Sequence, residues 1–235
     1  MAKAELSVLL DDLRGKAGNV VFCGSRDGVV VKKRSIPKNP RTPAQMAARE
    51  NLRKATQIFR SYTPTQVQGW KNYAGGINHH NPVNGVAYTP TAINAFVTLA
   101  TKLLQVNPTG TIPSMPPTTA FAGDTVTISV VASAGTLTFS ASKANAANVT
   151  TEILLQPLPS ANRKPSLQGM RHKAFQAFAS GSLSLPITVP PGYYAAAYRF
   201  VNTLTGQTTL PVMLAVNQVT LALEEGGNKS ARKVA

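Results

Sequence analysis

The residues able to do acid–base, nucleophilic or metal chemistry are few, and their spacing suits none of it. Three histidines are present, His79, His80 and His172. Neighbours such as His79 and His80 do not easily share one metal ion, and no Asp, Glu or Cys stands between Glu50 and Asp124 to complete a ligand set. Cys23 is the sole cysteine, so neither an intrachain disulfide nor a thiolate zinc site can form. The expectation for it is a small buried residue in a strand. The acidic doublets Asp11-Asp12 and Glu224-Glu225 stand near the two ends of the sequence. A Gly-x-Ser-x-Gly elbow is missing, and Gly15-Lys16 with Gly18 lacks the spacing of a phosphate loop. A hydrolase would need Asp124, Glu152 and a histidine to converge in a pocket. No catalytic, cofactor-binding or metal residue is nominated, and the expectation is a non-enzymatic protein without cofactors.

Positive charge is the chemistry the chain does carry. Lys and Arg number 24 against 9 Asp and Glu, a net charge of +15, which draws polyanions or acidic protein surfaces. Ten of these cations fall within residues 26–60, against only Asp27 and Glu50. From them Lys32, Lys33, Arg34, Lys38, Arg41, Arg49, Arg53 and Lys54 are the candidate contacts to phosphates or acidic groups. Arg49, Arg53 and Arg60 recur at helical spacing and so share a face. Only Phe59 and Tyr62 interleave with them, too few aromatics for a single-strand stacking platform. Trp70 and Tyr73 are candidate anchors, of an interface or of the local core.

The elements that must position these residues are legible as two differently written halves. Asn19–Cys23 and Val29–Lys33, either side of Gly24-Ser25-Arg26-Asp27-Gly28, predict a β-hairpin. Pro37-Lys38-Asn39-Pro40 continues it as an extended arm. Thr42-Pro43, Thr63-Pro64 and Thr89-Pro90 each set a capping hydroxyl before a proline suited to a first helical turn, predicting helices over 43–60, 64–74 and 90–105. The first would bury Ala44, Ala48, Leu52, Ala55 and Phe59. Gly75–Tyr88 reads as a long loop, and residues 107–120, with Pro108, Pro113, Pro116 and Pro117, as a semi-rigid spacer.

Beyond residue 120 apolar residues alternate with polar ones. Runs at Thr125–Val131, Gly135–Ala141, Thr150–Gln156, Lys173–Ser180, Ser182–Val189, Tyr193–Asn202 and Gln207–Leu223 predict about seven short strands. The fold class is therefore α+β: a β-hairpin with three short helices, a Pro-rich linker, and an antiparallel immunoglobulin-like β-sandwich. The expected divisions are a basic hairpin-arm and helical domain at 1–106, the linker at 107–120, the sandwich at 121–224 and a basic tail at 225–235. No signal peptide and no run of apolar residues long enough to span a membrane is read.

The run Gly15-Lys16-Ala17-Gly18-Asn19-Val20-Val21, followed by Arg34-Ser35-Ile36-Pro37-Lys38-Asn39-Pro40-Arg41-Thr42-Pro43-Ala44-Gln45 and Arg49, resembles a poorly characterised family encoded in tailed phages and prophages. Thr63-Pro64-Thr65-Gln66 with Trp70 and Tyr73-Ala74, then Tyr88-Thr89-Pro90 with Ala95-Phe96-Val97, extend the resemblance over residues 14–105. Leu6–Leu13 departs from the short Gly-rich segment usual there. The resemblance implies a virion structural protein with no catalytic residues, and similar proteins carry a β-sandwich after this region. The expected role is a capsid-associated decoration, cement or minor capsid protein. Its partners would be major capsid or other virion proteins and packaged DNA, in a homo-oligomer or symmetric array. A neck or tail component and a non-specific nucleic-acid-binding protein are the competing expectations.

Overall fold

A computed structural model describes residues 2–4, 14–25, 28–36, 39–80 and 87–220, and the chain divides into two compact units, Met1–Met46 and Ala47–Ala235. Lys38 and the tail from residue 221 lie outside the described residues.

In the first unit the valine-rich runs form the expected hairpin, β3 (Val20–Ser25) against β4 (Gly28–Lys33), within a larger sheet. Two three-residue strands, β1 (Ala2–Ala4) and β2 (Gly15–Ala17), flank it in the order β1-β4-β3-β2. Gly24 is a paired strand residue opposite Val29, and so the connection is tighter than the five residues expected. Cys23 lies half-buried in β3.

Helix α1 (Pro43–Arg60) has the expected limits, but only its later turns are covered. Ala55 is wholly buried and Phe59 half-buried, whereas Ala44, Ala48 and Leu52 are exposed. The reason is the position of the core. Phe59, Tyr62 and Trp70 ring Phe96 at centroid distances of 5.0–5.3 Å, and α1 meets this cluster only from Ala55 onward.

Thr63 caps α2 (Pro64–Gly75) through a full capping box with Gln66. Helix α3 (Ala92–Val106) starts two residues later than Thr89-Pro90 implies. Thr91, in extended backbone, accepts the Asn94 amide at 3.4 Å, and so Pro90 precedes the cap. Inside the expected loop, β5 (His79–His80) pairs with β6 (Ala87–Tyr88). The Pro-rich segment lies along the helices. Tyr62 Oη and Trp70 Nε1 donate to the carbonyls of Pro113 and Ser114 at 3.1 and 3.0 Å. These bonds satisfy polar tips of rings whose bodies fill the core.

Seven strands follow: β7 (Ile128–Ser133), β8 (Thr136–Ala141), β9 (Val149–Leu158), β10 (Arg171–Gln176), β11 (Ser184–Thr188), β12 (Gly192–Asn202) and β13 (Val212–Val219). They make two antiparallel sheets, β10-β9-β12-β13 and β11-β8-β7. Leu137, Phe139 and Ile187 from one sheet pack with Ile153, Ala196 and Phe200 from the other, as alternation demands. The last strand starts at Val212, not Gln207, because Pro211 lacks the N–H a ladder needs. Strand β10 ends at Gln176, and a bulge places Lys173 opposite no residue of β9. Helices and antiparallel sheets thus sit in separate stretches of the chain, an α+β organisation.

Candidate functional site

Strand geometry separates the cations of the first unit. Lys32 and Lys33 are neighbours in β4 and so leave opposite faces of the sheet. Lys32 pairs with Val21, which pairs with Lys16, so two exposed lysines flank a valine on one face. Lys33 shares the other face with Val20, Phe22 and Val31. Arg34 is exposed just past the strand, its amide donating to Asn19 O at 2.8 Å. Arg41 is exposed with φ of 48°, a left-handed turn uncommon for a bulky side chain, two residues before α1. Lys16 was not singled out from sequence. Only the β2–β3 register shows it, and three residues are too short for a pattern.

In the second unit Arg49 and Arg53 are exposed on α1. Arg53 is bound by Glu50, with Nη2 and Nε donating at 2.6 and 2.9 Å, and by Gln57 at 3.2 Å. Lys54 is half-buried beside a hollow of about 210 Å³ that Ile58, Leu104 and Pro108 also line. Trp70 is buried, and Tyr73 packs on it edge-to-face at 5.7 Å; both serve the helical core.

The most constrained ionic group is one the sequence reading did not assemble. Glu152 lies in the middle of β9, fully buried, on the face of the four-stranded sheet that turns away from the sandwich interior. Lys102, from α3, donates to both carboxylate oxygens at 3.1 Å, and Arg199 Nε to Oε2 at 2.7 Å. His172 Nδ1 stands 3.1 Å from Oε1. Burial raises the carboxyl pKa, but the bonds from His172 and Arg199 and the charge of Lys102 outweigh it and hold it at about 2. Burial pulls the Lys102 ammonium below its ordinary range; Glu152 pulls it up and Arg199 down again. One carboxylate thus answers a lysine, an arginine and a histidine, and it fixes α3 to the sheet. The signal in sequence was a lone Glu inside an apolar run, but its partners are 20 to 50 residues away.

Asp124 is engaged separately, accepting the amides of Thr125 and Ala146 at 2.7 Å and the Asn145 side chain at 3.2 Å. It shares no hydrogen bond with Glu152 or a histidine. Glu50, Asp124 and Glu152 are the only acidic residues among the described ones, and each is already held. The described surface therefore offers cations and no uncommitted carboxylate. No group of three metal-ligating side chains occurs among the described residues, and no described helix is long and apolar enough to cross a membrane.

Fold and site together define an α+β chain whose described chemistry is electrostatic: exposed cations, with each described carboxylate already engaged by a partner. No protein-family model matches the chain, and no curated protein shows detectable similarity to it.

Proposed function

We propose that this chain is a non-enzymatic structural component of a tailed-phage particle, a capsid-associated decoration, cement or minor capsid protein. The observation that carries the reading is the one-sided charge, on a chain whose residues 14–105 bear the family resemblance. Lys16, Lys32, Arg34 and Arg41 are exposed in the first unit, Arg49 in the second, and every described carboxylate is engaged. Such a surface suits a neighbouring subunit with acidic groups, or packaged DNA. Small edge strands and the exposed residues Ser35, Ile36 and Pro40 also suit lying along another protein. Ile36, just past β4, is 76% exposed, an apolar side chain ready for burial.

The sandwich is read as immunoglobulin-like. With its strands lettered A to G in chain order, the sheets run E-B-A and D-C-F-G, a Greek-key arrangement in which the fourth strand borders the third. Tyr194, near the start of the sixth strand, donates its hydroxyl to Pro190 O at 2.9 Å, the geometry of a tyrosine corner.

Quantitative mass spectrometry of purified particles tests the reading. Hundreds of copies per particle, on the order of the capsid lattice, support a shell protein. Roughly six to a few dozen place it in the neck or tail. Absence from the particle overturns it.

A further inference from the structure

The sandwich carries a second cluster of cations, distinct in sequence from those of the hairpin, arm and α1. Arg163, Lys164, Arg171 and Lys173 fall within eleven residues that hold no acid, and all four are exposed. Two contacts gather them at one end of the β9–β10 edge. Ser166 donates its amide to the Gln156 side chain at 3.1 Å, and Gly169 packs so closely on Gln156 that a Cβ there would overlap it. Arg171 pairs with Leu155, the residue next to Gln156. Lys164 is only two residues from the Ser166 anchor, so its Cα lies within about 7 Å of it. The bulge in β10 falls at Lys173, which leaves the ladder and stays on the exposed edge.

The electrostatics of the cluster are uncompensated. Arg163, Lys164 and Lys173 have no side-chain hydrogen bond or ion pair among the described residues. Arg171 folds back, Nη1 donating to the carbonyls of Gln168 and Met170 at 2.9 and 3.2 Å. That fixes the guanidinium while Nε and Nη2 keep their protons for an acceptor. The nearby carboxylate, Glu152, is buried and already answered by Lys102 and Arg199.

We infer that this edge is a binding site for the phosphate backbone of duplex nucleic acid. A protein partner of comparable strength would need apolar or aromatic anchors at the centre of the patch. Leu167 is the only large hydrophobic exposed in the 160–173 stretch, and no Phe, Tyr or Trp occurs there. Backbone phosphates need only cations and N–H donors and carry no sequence information. The lack of Phe, Tyr or Trp in the stretch also argues for duplex over single strands. The inference does not depend on the chain being a virion component. If it is one, the sandwich faces the genome.

The test is fluorescence anisotropy of a labelled 20-base-pair duplex, titrated with the full chain over a range of salt concentrations. Three proteins are compared: wild type, R163A/K164A/R171A/K173A, and R163E/K164E, whose changes leave the Arg171 backbone contacts in place. The slope of log affinity against log salt should become shallower by about 3 to 4 in the quadruple variant and by about 2 in the double. Affinity at moderate salt should fall at least about tenfold in each. K32A/K33A/R34A in the same assay reports the first unit's contribution separately, and the sandwich variants should lower affinity further in that background. An unchanged slope in both sandwich variants overturns the inference, as does absence of wild-type binding. Equal affinity for polyglutamate of matched charge would assign the edge to an acidic protein, and would overturn it too.

Discussion

At the scale of single residues, Glu152 has the largest consequences. Replacing it with alanine leaves Lys102 and Arg199 facing one another in a half-buried site with no counter-charge. Removing one partner of a buried ion pair costs about 3–5 kcal/mol, and Glu152→Ala should lower the unfolding free energy by that order in urea titrations. The pH dependence has a definite sign. The carboxyl titrates at about 2 in the fold and near 4.5 when unfolded. A depressed folded value gives stability that is complete above pH 4.5 and disappears as pH falls toward 2. The difference corresponds to about 3 kcal/mol. Between those pH values, the stability of Glu152→Gln should decline less steeply than that of the wild type. Parallel slopes would show that the carboxylate is not held as its contacts imply.

Glycine at position 206 makes a sharper steric point at the same scale. Its φ is 75°, and a Cβ there would overlap the carbonyl oxygen of Leu99 in α3. Gly181, with φ of 94°, faces open space. Gly181→Ala should therefore cost only left-handed backbone strain, about 1 kcal/mol. Gly206→Ala adds a clash with helix backbone and should cost at least about twice that. Thermal melts of the two variants separate the terms; equal shifts would mean the loop moves away from α3 freely.

At the scale of elements, what could be read from sequence is what is encoded locally. Thr63 with Gln66 announces α2 because a capping box lies within four residues, and alternation across Thr136–Ala141 or Gly192–Asn202 marks strands because one face must be apolar. The start of α3 slips by two residues because threonines at 89 and 91 can both cap, and the choice depends on packing. Strands β1 and β2 are three residues each, so they carry no period, and they exist only through pairing with the hairpin. Among candidate site residues, the exposure of Arg49 and Arg53 follows from helical spacing. The separation of Lys32 from Lys33 follows from strand alternation once β4 is known. The Glu152 cluster draws on three other elements, and no local pattern could reveal it. Pro190-Pro191-Gly192 is a turn-forming run that any reading of the residues can find, whereas the bond from the Tyr194 hydroxyl to Pro190 O depends on the fold. Tyr194→Phe should cost about 1 kcal/mol, the net worth of one hydrogen bond, read from the denaturation midpoint. No change would mean that water replaces the lost partner.

At the scale of the whole molecule, helices α2 and α3 and the sandwich belong to one compact unit, although a Pro-rich segment separates them in sequence. Three kinds of contact couple them. Lys102 reaches Glu152, Gly206 meets the α3 backbone, and the Gln207 side chain donates to Thr119 O at 3.0 Å. Segments that share buried ionic and backbone contacts of this kind unfold together. Trp70, the only tryptophan, sits in the helical core, so its fluorescence follows the helices. Hydrogen exchange of the β9 and β12 amides follows the sandwich. In urea the two signals should change at one midpoint. In Glu152→Ala both should shift to lower urea by the same amount, although Trp70 and Glu152 belong to different elements. An earlier Trp70 transition, with the sandwich amides still protected, would show that the Pro-rich segment joins two independent domains. The ion cluster would then be a surface contact without a share in global stability.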